Sequence, residues 1–226
     1  MGNYVFDFSF VIENLDVLLV GLQTTIKLTV ISSVIGLIAG FCITLMTMSR
    51  YRVISWSAII YIEIFRCTPA LVQLIWIFYC VPIFFGIFIE PIPMAIVALS
   101  LNIAAYNAEA YRAAIQAIPK SHHDASVALG LSPVIYMLFV ILPQAFIIAI
   151  PVLVTNTIGL LQQSALVAIV GIPDLMYEAK NLASASYRPI EVFTVAAAIY
   201  LLIAFPFSYL VNRLENVLER RMKGSA

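Results

Sequence analysis

Residues 28–49 read LTVISSVIGLIAGFCITLMTMS and contain no charged side chain. A helix needs about 20 predominantly apolar residues to cross the hydrocarbon core of a bilayer, and this stretch is long enough. Four more charge-free runs follow along the chain, at 67–89, 91–108, 125–173 and 192–212. Because each run is continuously apolar rather than alternating, the sequence predicts helices and not the strands of a barrel.

The composition excludes a soluble domain. Hydrophobic residues make up 63% of the chain and charged residues 11%, whereas soluble domains are about 45–50% apolar and about 25% charged. A soluble fold could not hide so much apolar surface. We therefore predict an all-α membrane protein.

The placement of the basic residues predicts the orientation in the membrane. Arg and Lys accumulate in short cytoplasmic loops; here they cluster near the runs' ends at 50–52, 112–120 and 213–223, while the opposite ends are mainly acidic. This pattern gives an N-terminus outside, a cytoplasmic C-terminus and an odd number of spans. Five transmembrane helices are predicted, at about 18–48, 54–85, 91–116, 133–154 and 190–211.

The long run after residue 125 contains a cluster of polar side chains. They are Thr155, Asn156, Thr157, Gln162, Gln163 and Ser164. Two spans in this run would break the alternation of charge, so residues 155–170 are predicted to form a broken or re-entrant segment. Irregular backbone at membrane depth is tolerated where it is buried in protein or lines a cavity.

Helix-terminating residues divide the loop at 117–132, between the third and fourth predicted spans. Ser121 and Asp124 have the spacing of a capping box, and Gly130 supplies a left-handed stop. A helix of about two turns, roughly 12 Å long, is therefore predicted over 122–129. The Ser-Pro pair at 132–133 then restarts a helix as N-cap and first residue.

The same loop resembles the EAA loop of binding-protein-dependent ABC permeases. The family pattern is Glu-Ala-Ala, three residues, Gly, nine residues, Ile-x-Leu-Pro. Here DASVALG at 124–130 and VILP at 140–143 keep the spacing from Gly to Leu-Pro. Asp124 stands in place of Glu and Ser126 in place of Ala.

Other segments resemble the polar amino acid permeases of that family, which serve solutes such as histidine, glutamine, glutamate, arginine and opines. FRCTPALVQL at 65–74 is similar to their FRGTPLLVQL segment, with Cys67 in place of Gly. Further similarity lies at 21–25, 105–109, 115–120, 199–200 and 218–221, so that the resemblance covers about 20–223.

The resemblance implies a type I ABC importer permease fold and a set of partners. The expected partners are a second permease subunit (homo- or heterodimer), two cytoplasmic ATPase subunits, a periplasmic or lipid-anchored solute-binding protein and the lipid bilayer, with no nucleic acid. The expected location is the bacterial inner membrane. ATP and Mg would be bound by the partner ATPase, and no cofactor is expected in this chain.

Coupling to the ATPase is expected from the loop helix, which is short and small-faced and could dock in a partner's cleft. The simpler alternative is a loop helix that only turns the chain. The residues expected in the coupling contact are Lys120, Ser121, His122, Asp124, Ala125, Ser126 and Gly130.

Polar residues in the predicted spans are candidates for the solute path, because they are costly in lipid. The candidates are Glu63, Arg66, Thr68, Pro69, Gln73, Asn102, Asn156, Gln162, Gln163 and Ser164. Glu63 and Arg66 are spaced to pair on one helix face, either by snorkelling at the boundary or as a gate beside a break at Pro69. Glu109 and Arg112 have the same spacing. The amides either line the pore or bond between helices.

Two further features bear on packing and on the solute. Gly36 and Gly40 form a GxxxG pattern, which permits close approach of another helix, within the subunit or in a dimer.

The segment at 162–166 bears on the solute: Gln162-Gln163-Ser164-Ala165-Leu166 stands where the family often has Lys-Asp-Thr-Ser-Leu. The resemblance therefore implies a polar amino acid, with acidic ones among the candidates.

The sequence does not predict an enzyme. It has no Walker A pattern, no His or Cys metal-binding spacing and no nucleophile motif, so ATPase activity is assigned to partner subunits. Two alternatives remain. One is a secondary transporter, which would usually show repeats and more spans. The other is an assembly subunit without a pore, which would leave the polar cluster at 155–164 without a role.

Overall fold

The computed structural model describes residues 6–86 and 89–223, and every regular element in this part is helical. The α-helices are α1, Ser9–Glu13; α2, Leu15–Thr47; α3, Arg52–Cys67; α4, Ala70–Ile75; α5, Val81–Phe85; α6, Pro91–Gln116; α7, Lys120–Ala128; α8, Pro133–Ile135; α9, Leu142–Gln163; α10, Leu175–Ser186; and α11, Pro189–Lys223. Two π-helical turns, Trp76–Cys80 and Tyr136–Ile141, join α4 to α5 and α8 to α9, and a 3-10 segment, Ser164–Val170, follows α9.

Four stretches in the described residues are long and apolar enough to cross a membrane. They are Leu15–Thr47, Pro91–Gln116, Pro133–Val170 and Pro189–Val211. The pair Arg52–Cys67 and Ala70–Phe85 passes the same test together but is bent by 109°. Counting this pair as one span gives five, the number predicted from the charges.

The bend divides the predicted second span, 54–85, at the break beside Pro69 that the gate alternative included. Thr68 and Pro69 both have extended backbone, with ψ of 144° and 134°. Proline has no N–H to donate and disfavours helical geometry in the residue before it. The Thr-Pro pair therefore ends α3, and α4 starts in a new direction.

The predicted broken segment at 155–170 is wrong over its first half. Helix α9 continues without interruption to Gln163, and only then tightens into the 3-10 segment. The hydroxyls of Thr155 and Thr157 donate to the carbonyls of Pro151 and Leu153, both at 3.0 Å. Because these threonines are satisfied by their own helix, their polarity does not require a break.

The loop helix α7 starts two residues before the predicted helix, so the predicted capping box is wrong. Extended Pro119 occupies the N-cap position, and no side chain caps the helix. Its C-terminal end matches the prediction: Gly130 has φ of +68°. Leu131 N–H donates to the Ser126 carbonyl at 3.0 Å, which with the Gly130 N–H forms a Schellman motif. Ser132 caps α8 by accepting from the Ile135 N–H at 3.4 Å.

Helix α6 lies at the centre of the bundle, with α2, α3 and α9 packed on it. Close contact with α2 depends on glycine. A Cβ at Gly40 would lie 2.8 Å from the Asn107 Cβ and 2.9 Å from the Ala104 carbonyl oxygen. The Thr44 hydroxyl donates to the Ala108 carbonyl at 2.9 Å. The GxxxG pattern therefore serves packing within the subunit.

The end of the bundle opposite α7 is closed by α1, α10 and the start of α11 around an apolar cluster. Asp174 caps α10 by accepting from the Tyr177 N–H at 2.8 Å. The hydroxyl of Tyr200 donates to the same carboxyl at 3.5 Å, and the Leu175 N–H donates to the Thr25 hydroxyl at 3.1 Å. Asp174 thus joins α10 to α11, and the Leu175 N–H joins α10 to α2.

Replacing Asp174 with asparagine is expected to stabilise the subunit at neutral pH. Burial raises the pKa of the Asp174 carboxyl to about 6, whereas the unfolded chain ionises it near 3.9. The stability that this carboxyl contributes is therefore fully present below its pKa in the unfolded chain, about 3.9. That contribution is lost as the pH rises through its pKa in the fold, about 6. Asparagine keeps the cap without the charge, so Asp174→Asn should raise the melting temperature at pH 7.5 by about 2–4 °C.

The advantage of Asp174→Asn should shrink between pH 7.5 and pH 5, because the wild-type carboxyl becomes protonated in the fold. The measurement is thermal unfolding of the purified subunit in detergent at both pH values. Glu13→Gln, an exposed carboxyl at the same end, is the matched control. An advantage that does not change with pH would contradict the assignment.

Candidate solute path and coupling loop

The bend between α3 and α4 is held by the side chain of Gln73. Its Nε2 lies 2.8 Å from the Phe65 carbonyl, 2.9 Å from the Thr68 carbonyl and 2.6 Å from the Thr68 hydroxyl. Its Oε1 accepts from Asn102 Nδ2 at 2.8 Å. Gln73 therefore satisfies the carbonyls that Pro69 leaves free and ties the bend to α6.

A second amide pair joins α6 to α9. Asn156 Nδ2 donates to Asn107 Oδ1 at 3.0 Å. Beside it lies a cavity of about 140 Å³ between the two helices. The residues that line it are Asn102, Ile103, Tyr106, Thr155, Asn156, Gly159, Leu160 and Gln163. The central cavity, as we call this space, is thus bordered by amides, hydroxyls and two apolar side chains and, among the described residues, by no acidic or basic side chain.

Two buried amide atoms at this junction have no hydrogen-bond partner among the described residues. They are Gln163 Oε1 and Asn107 Nδ2. A buried polar atom without a partner costs about 1–3 kcal/mol. Gln163 lines the central cavity, so a polar ligand in that cavity would supply a hydrogen-bond donor to Gln163 Oε1.

Of the four path residues predicted in the segment 155–164, two do not line this cavity. Gln162 is exposed and lines a different space together with Met176, Phe193 and Tyr200. Ser164 is fully buried and donates to the Leu161 carbonyl at 2.8 Å. Adjacent helix residues point about 100° apart, which is why Gln162 and Gln163 face different surroundings.

Charged candidates gather instead where α3 meets the second half of α6. Arg66 Nη1 lies 3.9 Å from Glu109 Oε2, and Glu109 also binds Arg112 through Nε and Nη2. The predicted pair of Glu63 with Arg66 is wrong, because Arg66 reaches across to α6. Glu63 instead accepts a weak bond from Cys67 Sγ at 3.5 Å.

Glu63, Glu109 and Arg112 border a second cavity, of about 380 Å³, which we call the lower cavity. It is lined by Thr47, Met48, Ile59, Ile62, Glu63, Glu109, Arg112 and Gln116. Thr47 ends α2 and Gln116 ends α6, so the lower cavity opens at the end of the bundle that carries α7.

Helix α7 presents most of the predicted coupling residues to solvent. Lys120, Ser121, Asp124, Ala125 and Gly130 are exposed and His122 is partly exposed. Ser126 is buried, with its hydroxyl donating to the His123 carbonyl at 2.7 Å, so it faces its own subunit.

Two exposed apolar residues of α7 and its C-terminal end were not among the predicted coupling residues. Val127 is 64% exposed and Leu129 is 76% exposed. Large apolar side chains that are exposed together on a solvent-facing helix are candidates for a contact surface. Their positions beside the Gly130 stop are the signal that could have indicated them.

Comparison with known proteins places this geometry in context. A family model described as "Binding-protein-dependent transport system inner membrane component" matches residues 32–224. The chain is 37% identical to the arginine transport system permease protein ArtQ of Bacillus subtilis, over 94% of this chain and 97% of that protein. It is 33% identical to the glutamate/aspartate import permease protein GltK of Escherichia coli, over 94% and 98% of the two chains. A crystal structure of an amino acid ABC transporter with histidines superposes with a TM-score of 0.88 and 36% identity, covering 96% of this chain and 100% of that one.

Proposed function

The chain belongs to the family of binding-protein-dependent transport system inner membrane components and is a permease subunit of an amino acid ABC importer; from this premise we propose that it forms the translocation path for a polar amino acid. The path runs through the central cavity. Its coupling to ATP hydrolysis passes through α7 to a partner ATPase, which binds the ATP and Mg.

The central cavity is the observation that carries this proposal. Amide and hydroxyl groups can replace part of the hydration of a zwitterion without holding it as tightly as a fixed charge would. Within the part of the chain that the structure describes, the lining contains no carboxylate to pair with a basic side chain. Among the described residues the lining also has no basic group to pair with an acidic side chain. The solute class that fits is therefore a neutral polar amino acid, with acidic and basic ones transported less well.

The orientation follows from the charge distribution on the fold. Arg50 and Arg52 lie at the end of the bundle that carries α7, whereas Asp16, Asp174 and Glu178 lie at the other end. With the basic end in the cytoplasm, the N-terminus is outside and α7 faces the cytoplasm. The membrane is the inner membrane of a bacterial cell.

The partners follow from the surfaces and the family. The exposed side of α7, with Asp124, Ala125, Val127 and Leu129, is the contact for the ATPase. The opposite end receives solute from a solute-binding protein, and a second permease subunit completes the membrane part. Two ATPase subunits complete the complex.

Gln163→Ala is expected to slow uptake several-fold and leave assembly unchanged. The substitution removes an amide from the central cavity, and one hydrogen bond to a solute is worth about 1 kcal/mol. The measurement is ATP-driven uptake of glutamine, glutamate and arginine into proteoliposomes with saturating binding protein. Gln162→Ala, one residue away and facing other surroundings, is the matched control.

The same assay separates the competing functions. Equal transport by the two variants and the parent would mean that Gln163 serves packing only and that the path lies elsewhere. Uptake that persists without ATP hydrolysis would indicate a secondary transporter. A complex that assembles but takes up no amino acid would leave only an assembly role.

A further inference from the structure

Helix α6 carries a polar stripe that is buried at one end and exposed at the other. Asn102, Tyr106, Glu109 and Gln116 are separated by 4, 3 and 7 residues, the spacing that puts side chains on one helix face. Arg112 lies beside this stripe, three residues from Glu109. Most of the remaining surface in this half of α6 is buried against α2 and α9.

The stripe passes from the central cavity to the lower cavity. Asn102 and Tyr106 line the central cavity, and Glu109, Arg112 and Gln116 line the lower one. Asn102 and Glu109 are seven residues apart, which corresponds to about 10 Å along a helix. The two cavities are therefore successive spaces on one polar surface, and the lower one is nearer α7.

The lower cavity differs from the central one in its charge. One guanidinium and two carboxylates line its wall, Arg112 with Glu63 and Glu109, and Arg66 lies outside the lining, 3.9 Å from Glu109. Together with Arg66 the formal charges of these four groups cancel, so the site favours neither a free anion nor a free cation. A ligand with both charges separated by a few ångströms would find a partner for each.

At this wall both a hydrogen-bond donor and a hydrogen-bond acceptor are still available. Glu109 occupies Nε and Nη2 of Arg112, and no described residue bonds its Nη1. The Glu63 carboxylate receives only the weak Cys67 bond at 3.5 Å among the described residues. A carboxylate accepts strong bonds from a guanidinium, and a carboxylate such as Glu63 accepts them from an ammonium.

We propose that the lower cavity is a second amino acid site, in which Arg112 binds the α-carboxylate and Glu63 binds the α-ammonium. This inference rests on the proposed function, because it takes the solute of the central cavity as its ligand. The lower cavity differs from the central one in what it recognises, because it binds the α-ammonium and α-carboxylate common to all amino acids. It holds the solute on the cytoplasmic side, where the solute leaves the transporter.

Cys67 provides a readout at the site itself, because its thiol is exposed and contacts Glu63. The complete transporter, without binding protein, is reconstituted in nanodiscs of phosphatidylglycerol. It is treated with N-ethylmaleimide while the concentration of glutamine or N-acetylglutamine is varied. Mass spectrometry then follows alkylation of Cys67, with exposed Cys42 as the internal reference.

Glutamine is expected to protect Cys67 and not Cys42, and N-acetylglutamine, which has no ammonium, to protect about tenfold less well. In Glu63→Gln the two compounds should protect Cys67 equally weakly, whereas Glu90→Gln, at the opposite end of the bundle, should behave as the parent. Protection by both compounds alike in the parent, or an unchanged preference in Glu63→Gln, would overturn the proposal.

A zwitterionic lipid headgroup carries the same pair of charges. Nanodiscs that contain phosphatidylethanolamine distinguish it: Cys67 protected by this lipid, with no further effect of glutamine, would identify a lipid site and overturn the proposal. Uptake by the parent is measured in parallel. Normal uptake without protection rejects only the lower site, whereas absence of all amino acid uptake rejects the proposed function.

Discussion

Gly130→Val is expected to remove most ATP-driven uptake while the subunit still inserts in the membrane and assembles. Gly130 ends α7 with φ of +68°, a conformation that a β-branched side chain adopts only with strain. A Cβ at this position would meet no atom within 4 Å. The defect therefore comes from the backbone of the Schellman motif and not from a steric clash in the core.

The physical consequence is confined to the coupling surface. When the motif opens, the bond from the Leu131 N–H to the Ser126 carbonyl is lost, and the end of α7 that carries Val127 and Leu129 changes direction. The proposed ATPase contact needs those side chains in place. We expect solute-stimulated ATP hydrolysis and uptake in proteoliposomes to fall at least about tenfold, which corresponds to a loss of about 1.4 kcal/mol.

The matched control for this experiment is Gly130→Asn. Asparagine tolerates the left-handed region and is the usual alternative to glycine at this position, so this variant should keep most of the activity. Normal stimulation of hydrolysis in Gly130→Val would count against docking through α7. Equal loss in both variants would point to a role of the glycine other than its backbone conformation.

Sequence patterns predicted those features that depend on backbone chemistry alone. Gly130 and the Ser-Pro pair at 132–133 follow from the conformations that glycine and proline allow. The bend at Thr68–Pro69 follows from the missing proline N–H. The charge-free runs gave the helical membrane class, because the bilayer requires internally bonded backbone.

Features that depend on the packing partner could not be predicted in this way. Polarity at 155–163 suggested a broken helix, but hydroxyls that bond to their own turn leave no trace in a sequence pattern. Arg66 has the spacing to pair with Glu63, yet the structure places Glu109 of another helix within its reach. Which of two adjacent glutamines faces a cavity depends on the rotation of α9, and periodicity in an almost wholly apolar run does not define that rotation.

The missed cavity residues illustrate the same limit. Tyr106 and Gly159 border the central cavity, but a tyrosine in an apolar span and a glycine in a helix are both common without any function. Only Tyr106 had a usable signal, its spacing of four residues from Asn102. Asn107 follows from Asn156 only once α6 and α9 are known to be neighbours.

Gly40→Val is expected to remove most of the assembled transporter from the membrane. The added Cβ would approach the Ala104 carbonyl oxygen to 2.9 Å and the Asn107 Cβ to 2.8 Å. Neither atom is the end of a flexible side chain, so α2 and α6 would have to separate. Overpacking of this kind costs about 1–3 kcal/mol or more.

The damage from Gly40→Val should also reach the solute path. Displacement of Asn107 would break its bond to Asn156, which joins α6 to α9 beside the central cavity. The measurement is the yield and elution profile of the complete complex from size-exclusion chromatography at equal membrane input. We expect the yield to fall about tenfold.

Gly159→Ala is the matched control, because a Cβ there meets nothing within 4 Å and alanine favours a helix by about 1 kcal/mol over glycine. That variant should assemble normally and reduce uptake only by narrowing the cavity. Parental yield and elution of Gly40→Val would show that the contact of α2 with α6 tolerates separation and that Gly40 is not required for it.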